Sequence, residues 1–287
     1  MASSIIIHFF LLQLSLFSLS SLLASSQPHS FILPIKKDPS TNLFYTSLGI
    51  GTPRTNFNLV IDLGGENLWY DCDTHYNSSS YTPIQCGSKQ CPEIGCIGCD
   101  GPFKPGPVSV EGVASNEYFI DVKAVKIDGN VLNLKPSLLS LNKKGNGGTK
   151  ISTITPFTEL HTSVYKPFIR DFLKKASDRK LKRVKSVAPF EACFDSTSIG
   201  NSVPRIDLVL QKGVQWTIHE TNLMVNVKKN VACLGIVDGG TESRMSFTKP
   251  SILIGGHQLV DNLLVFDLSS SKLSFSSSLL VHNASCS

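Results

Sequence analysis

The sequence predicts a mainly-β protein. Three observations carry that prediction. Short apolar or alternating runs recur through the second half, at residues 206–210, 214–218, 223–227, 231–237, 251–254, 263–268 and 272–276, with turn residues between them. Only one stretch keeps a helical period over several turns. The chain has 287 residues and is 41% hydrophobic, enough to bury a sizeable core in one large domain or two lobes.

The N-terminus indicates the compartment. Residues 5–23 form an apolar, serine-rich run without Lys, Arg, Asp or Glu, and small residues (Ala24, Ser25, Ser26) precede Gln27. Residues 1–26 therefore read as a secretory signal peptide, with the mature chain starting near Gln27. No later run is apolar enough to cross a bilayer, so a secreted, extracellular protein with no membrane partner is expected. Eight cysteines fit an oxidising compartment, and disulfides are their default state. The spacing leaves connectivity open. Cys96 and Cys99 have CxxC spacing but no further metal ligands and no redox-motif context nearby. Asn77 and Asn283 each open an N-x-[ST] triplet and are candidate glycan sites.

Along the mature chain, residues 31–35 and 44–50 read as strands, and Gly49 to Pro53 as a hairpin turn. That turn lacks the third glycine and the following helix of a dinucleotide site. Residues 56–62 form the return strand. It ends on Asp62, followed by Leu63, Gly64 and Gly65, before Leu68-Trp69 resumes the apolar character. A carboxylate so placed can be catalytic, or it can cap its own turn. Residues 73–107 are loop-rich, and the breaker run 101–107 is the best boundary. Residues 118–127 alternate, and Asp128-Gly129 turns them back into 131–134. A glycine-rich turn at 145–148 leads into a strand ending near Ser152-Thr153-Ile154. Then comes the helix. Val164, Tyr165, Phe168, Ile169, Phe172, Leu173 and Ala176 share one face, capped by Thr162 or Ser163.

Charge is uneven. The formal net charge is +5, and Lys174, Lys175, Arg179, Lys180, Lys182, Arg183 and Lys185 face only Asp178 in their window. The plain reading is a solvated helix end that suits the dipole. A polyanion-binding patch is the alternative, and the lack of interleaved aromatics argues against nucleic acid. The seven histidines show neither H-E-x-x-H nor H-x-H spacing, and there is no G-x-S-x-G or P-loop, so no metal or other cofactor is expected.

A strand followed by Asp62-Leu63-Gly64 is echoed by a strand followed by Ser152-Thr153-Ile154. With Ile252-Leu253-Ile254-Gly255-Gly256 and Leu264-Val265-Phe266-Asp267, this resembles a pepsin-like bilobal aspartic protease. Residues 150–157, 188–194 and 203–210 narrow the resemblance to the plant xylanase-inhibitor-like branch: extracellular dermal glycoprotein, basic 7S globulin and wheat xylanase inhibitors. The resemblance implies a Cys193–Cys233 disulfide and two lobes, at 27–107 and 117–287. The N-terminal lobe is truncated: Asp62 and Ser152 stand far closer in sequence than the family's two active-site loops, which places a lost block, flap included, near Gly106-Pro107.

Aspartic proteolysis needs two carboxylates sharing a proton. Asp62 matches the first and is vestigial on this reading. Ser152 replaces the second, and Leu63 replaces the threonine that braces the pair. A hydroxyl with no nearby base does not take over a carboxylate's proton exchange. The resemblance therefore implies a non-catalytic homologue that binds a cell-wall glycoside hydrolase of xylanase or endoglucanase type in plant defence. His282, four residues before Cys286, matches the inhibitory histidine of the wheat-type proteins. An exposed tail histidine is the plainer reading of that residue, and the shortness of the 194–204 loop, without arginine ahead of Pro204, weighs against the endoglucanase type. An aspartic endopeptidase and a storage or cell-wall glycoprotein are the alternatives.

Overall fold

The computed structural model describes residues 32–65, 78–80, 117–200, 203–241, 249–267, 272–276 and 278–286. The expected signal peptide, Asn77 and five of the cysteines, from Cys72 to Cys99, lie outside the described residues. Met1–Pro34 and Ile35–Ser287 separate as two units, and every strand and helix among the described residues belongs to the second.

Strands β1 (Lys36–Lys37), β2 (Phe44–Ile50) and β3 (Thr55–Val60) form an antiparallel sheet in that order. The first expected strand therefore moves to Lys36–Lys37, with Ile32 to Ile35 outside any regular element. The β2–β3 pairing runs from Tyr45↔Val60 to Ile50↔Thr55. Of the return strand only Leu59 is buried, because its alternate side chains point away from the core.

From residue 117 the described residues build three sheets of four or five strands and one two-stranded sheet. β4 (Phe119–Ile120), β5 (Ala124–Ile127) and β6 (Asn130–Val131) precede a short helix, α1 (Pro136–Leu139). β7 (Thr149–Ile151) and β8 (Thr158–His161) lead into the long helix α2 (Thr162–Asp178). Next come β9 (Arg183–Val184), β10 (Cys193–Asp195), β11 (Ile206–Val209) and β12 (Gln215–Ile218). Helix α3 (Glu220–Leu223) opens into β13 (Met224–Lys228), followed by β14 (Val231–Leu234) and β15 (Ile236–Gly240). β16 (Ile252–Ile254), α4 (Gly256–Leu259) and the hairpin β17 (Leu264–Asp267) and β18 (Lys272–Phe275) close the fold. The sheet orders are β15-β8-β16-β7-β4, β13-β14-β10-β9 and β12-β11-β5-β6.

Helix α2 is the centre of the main core. Its buried residues are Val164, Tyr165, Phe168, Ile169, Phe172 and Ala176, the face that the periodicity predicts. Its cap differs from expectation. His161 is the N-cap, its Nδ1 accepting from Ser163 N at 3.2 Å, because β8 runs into the helix without a loop. Thr162, already helical, sends its hydroxyl to Asp238 Oδ1 at 2.7 Å instead. At the other end Lys180 takes a left-handed conformation, φ 61°, and Leu181 N closes on Ala176 O at 3.0 Å.

Cys193 and Cys233 face each other directly across β10 and β14 and are disulfide bonded, S–S 2.08 Å. With Phe190 they form a small second core, packed by Phe157, Val184, Val225 and neighbours. The expected strand 231–237 breaks at Gly235, whose N–H donates to Leu223 O at 2.7 Å, so β14 and β15 join different sheets. Trp216, 2% exposed, stacks on Phe275 at 5.0 Å and ties the closing hairpin to β12.

Candidate functional site

The two loops that the sequence singles out are brought together. On one side β3 ends and Ile61 N donates to Phe44 O at 2.8 Å. Asp62 then makes a tight turn: its Oδ1 accepts from Gly64 N at 2.8 Å and its carbonyl from Gly65 N at 3.2 Å. On the other side β7 ends and Ser152 N donates to Ile254 O at 2.9 Å. Leu63 N donates to Thr153 Oγ1 at 3.1 Å and so joins the two loops. A reciprocal bond would need a hydroxyl at residue 63, and leucine has none.

The chemistry of the pair is asymmetric. Asp62 is exposed and its Oδ1 accepts from the backbone of its own turn. Ser152 is buried at 6% exposure. Its Oγ accepts from Thr155 N at 3.1 Å and donates to Thr155 Oγ1 at 3.1 Å. No hydrogen bond links Asp62 to Ser152. Among the described residues the arrangement therefore holds one carboxylate and one committed hydroxyl, and Ser152 supplies no carboxylate with which Asp62 could share a proton.

Beneath these loops lies a rigid support. β16 is flanked by β7, parallel, and β8, antiparallel. Gly255 follows it. A Cβ there would sit 2.3 Å from the Phe157 carbonyl, so only glycine lets the chain cross at this point. Gln258, 1% exposed, accepts from Thr158 N and Oγ1 at 2.9 and 2.7 Å, and donates to Asn222 O and Gly235 O at 2.9 and 3.0 Å. It satisfies four groups from three segments, which fixes the loop's height.

His257 is a neighbour whose role sequence reading missed. Its motif was visible, but nothing in the motif signalled its surroundings. The ring packs 6.0 Å from Phe157, and its Nε2 lies 3.2 Å from Met224 O. Burial, then the positive charge of Lys37, pull its pKa down to about 4, against a smaller upward pull from the Met224 carbonyl. Lys37 lies 5.9 Å over the Phe44 ring, and burial lowers its own pKa.

At the far end of the chain, residues Leu279–His282 form a 3-10 turn. His282 and Asn283 are both exposed, and Asn283 is left-handed at φ 55°. Asp261 holds the turn: its carbonyl accepts from Leu279 N at 2.6 Å and its Oδ1 from Cys286 N at 2.9 Å. Cys286 is exposed as a free thiol. Among the described residues no His, Cys, Asp and Glu cluster could hold a metal, and no helix is long and apolar enough to cross a membrane.

Paired strand–turn loops over a crossing apolar-Gly strand define a pepsin-like aspartic protease fold. The comparisons with known proteins agree. The model of the xylanase inhibitor C-terminal domain matches residues 117–277, and that of the N-terminal domain matches residues 44–124. The chain belongs to this xylanase-inhibitor-like branch of the pepsin-like (peptidase A1) family. It is 32% identical to a probable aspartic proteinase, GIP2, of Nicotiana benthamiana, over 438 aligned positions spanning all of this chain and 98% of the relative. Those 438 positions exceed the 287 residues of this chain, so part of the relative has no counterpart here. It is 28% identical to gamma conglutin 1 of Prunus dulcis, covering 98% of this chain and 96% of the relative. Among solved structures, that of edgp superposes with a TM-score of 0.76 at 31% identity, over 88% of this chain and 96% of the other. Conglutin gamma from lupine seeds shares the fold, with a TM-score of 0.70 at 23% identity, over 89% of this chain and 97% of the other.

Proposed function

We propose that the protein is a non-catalytic aspartic-protease homologue, exported from the cell, that binds and inhibits a cell-wall-degrading glycoside hydrolase. The observation that carries the non-catalytic part is Ser152. It stands where the second carboxylate belongs, buried, with its hydroxyl bonded to Thr155. A fold kept without its dyad retains surfaces for binding rather than turnover. Family membership supports a glycosidase as the partner. The contact is assigned to the C-terminal turn, where His282 is exposed. An imidazolium between the two carboxylates of a glycosidase makes a charge-assisted contact. The test is titration of a fungal xylanase, and separately an endoglucanase, with the purified full chain. Stoichiometric loss of activity, abolished by His282→Ala, is expected. Acid proteolysis blocked by a transition-state analogue would overturn this reading in favour of the endopeptidase that the name of the Nicotiana relative suggests.

The same proposal includes lobes at 27–107 and 117–287, with the relatives' extra block lost near Gly106-Pro107. Sequencing the transcript across that junction tests this. A longer product dominating would identify the present chain as a shortened form. Export with removal of residues 1–26, and glycans on Asn77 and Asn283, are checked by mass spectrometry of the mature protein.

A further inference from the structure

The fold gathers cations that the sequence keeps apart. The β13-β14-β10-β9 sheet places the β13–β14 turn and the segment entering β9 at one end. Asp195 N donates to Lys182 O at 2.9 Å, Asp195 pairs with Val231, and Val231 pairs with Lys228. Lys182 and Lys228 are thus three strand spacings apart in one row, about 14 Å. Lys180, Lys182, Arg183, Lys185, Lys228 and Lys229 are all exposed, and none is in an ion pair among the described residues. Of these, Arg183, in register with Phe194, alternates to the other face of the sheet from Lys182.

Three acids lie near these six cations: Asp195, Asp178 and Glu191, which hydrogen-bonds the Tyr165 hydroxyl on the side that Arg183 also faces. Asp195, the acid within the row, accepts from Thr197 N and Oγ1 at 3.0 and 2.8 Å, and those bonds, more than Lys182, hold its carboxyl low. Asp178 lies on the last turn of α2. Arg179 is tied inward, to Asp128 at 2.7 Å and to Val203 O at 3.1 Å, and it anchors the basic end. The aromatics of this sheet region, Phe190 and Phe194, are 5% and 1% exposed and offer no face for stacking.

We propose that this sheet end is a binding surface for a linear acidic polysaccharide, a polyuronate. Spaced, unpaired ammonium groups match regularly spaced carboxylates, and a surface without aromatic platforms does not suit single-stranded nucleic acid. The proposal is independent of the glycosidase reading and uses neither His282 nor the Asp62 turn.

Binding of the full chain to polygalacturonate, followed across a salt series, tests it. Affinity should fall steeply with salt. The triple variant K182Q/K228Q/K229Q should bind about tenfold more weakly, with a salt slope lower by about one per lysine removed. K36Q/K135Q/K272Q, with the same charge change elsewhere on the surface, should bind like the parent. Equal weakening by both variants would reduce the effect to net charge and overturn the proposal. So would tighter binding of poly(U) than of polygalacturonate, or equal binding of an uncharged glucan. Thermal unfolding of both variants separates lost binding from lost folding.

Discussion

At the scale of single residues, His257 carries the sharpest consequence. Its pKa is about 4 in the fold, below its ordinary 6.5, chiefly through burial. The unfolded chain therefore binds this proton more readily. Stability should be full above pH 6.5 and decline as pH falls toward 4, by up to about 3 kcal/mol for this one group. Denaturant midpoints across that range check this, and His257→Gln should flatten the slope. A second consequence concerns the loop junction. Thr153→Val removes the acceptor of Leu63 N and should cost about 1–3 kcal/mol, while Thr153→Ser should retain most of the stability. Asp62 was legible in the sequence as either a catalytic group or a cap, and in the fold its Oδ1 accepts from Gly64 N within the turn.

At the scale of elements, α2 was the most legible. A seven-residue apolar stripe at 3.6 spacing leaves no other conformation that buries it, and Phe172 ends fully buried at 0% exposure. Phe172→Ala should cost about 3–5 kcal/mol by denaturant unfolding. Short elements were less legible. β8, β9 and β10 hold two to four residues each, too few for a period to register. The expected strand 223–227 begins one residue late, because Leu223 closes the α3 turn and Met224 opens β13. Gly255 shows a constraint of another kind. Its backbone is ordinary, φ −91°, yet a methyl group would collide with Phe157. Gly255→Ala should therefore destabilise by about 3 kcal/mol and loosen the loop that carries Ser152.

At the scale of the whole molecule, the Cys193–Cys233 bridge closes a loop across a sequence separation of 40 residues. Replacing both cysteines by alanine should cost about 4 kcal/mol, measured as the loss of unfolding free energy under non-reducing conditions. The sequence by itself determined the mainly-β class, the helix and the family. Each rests on local patterns: a period of two or 3.6, turn residues, and motifs such as Ile252 to Gly256. Spacing alone left the cysteine partners open, and the resemblance supplied the pair. Tertiary structure alone decided the rest. It bonded the Asp62 turn to Thr153, 90 residues along the chain from Leu63. It lowered the pKa of His257 chiefly by burying it, and further by packing it near Lys37 from a distant strand. It also drew Lys182 into one row with Lys228. The reason is common to all three. Burial, field and juxtaposition depend on which distant segments meet, and no local pattern encodes that meeting.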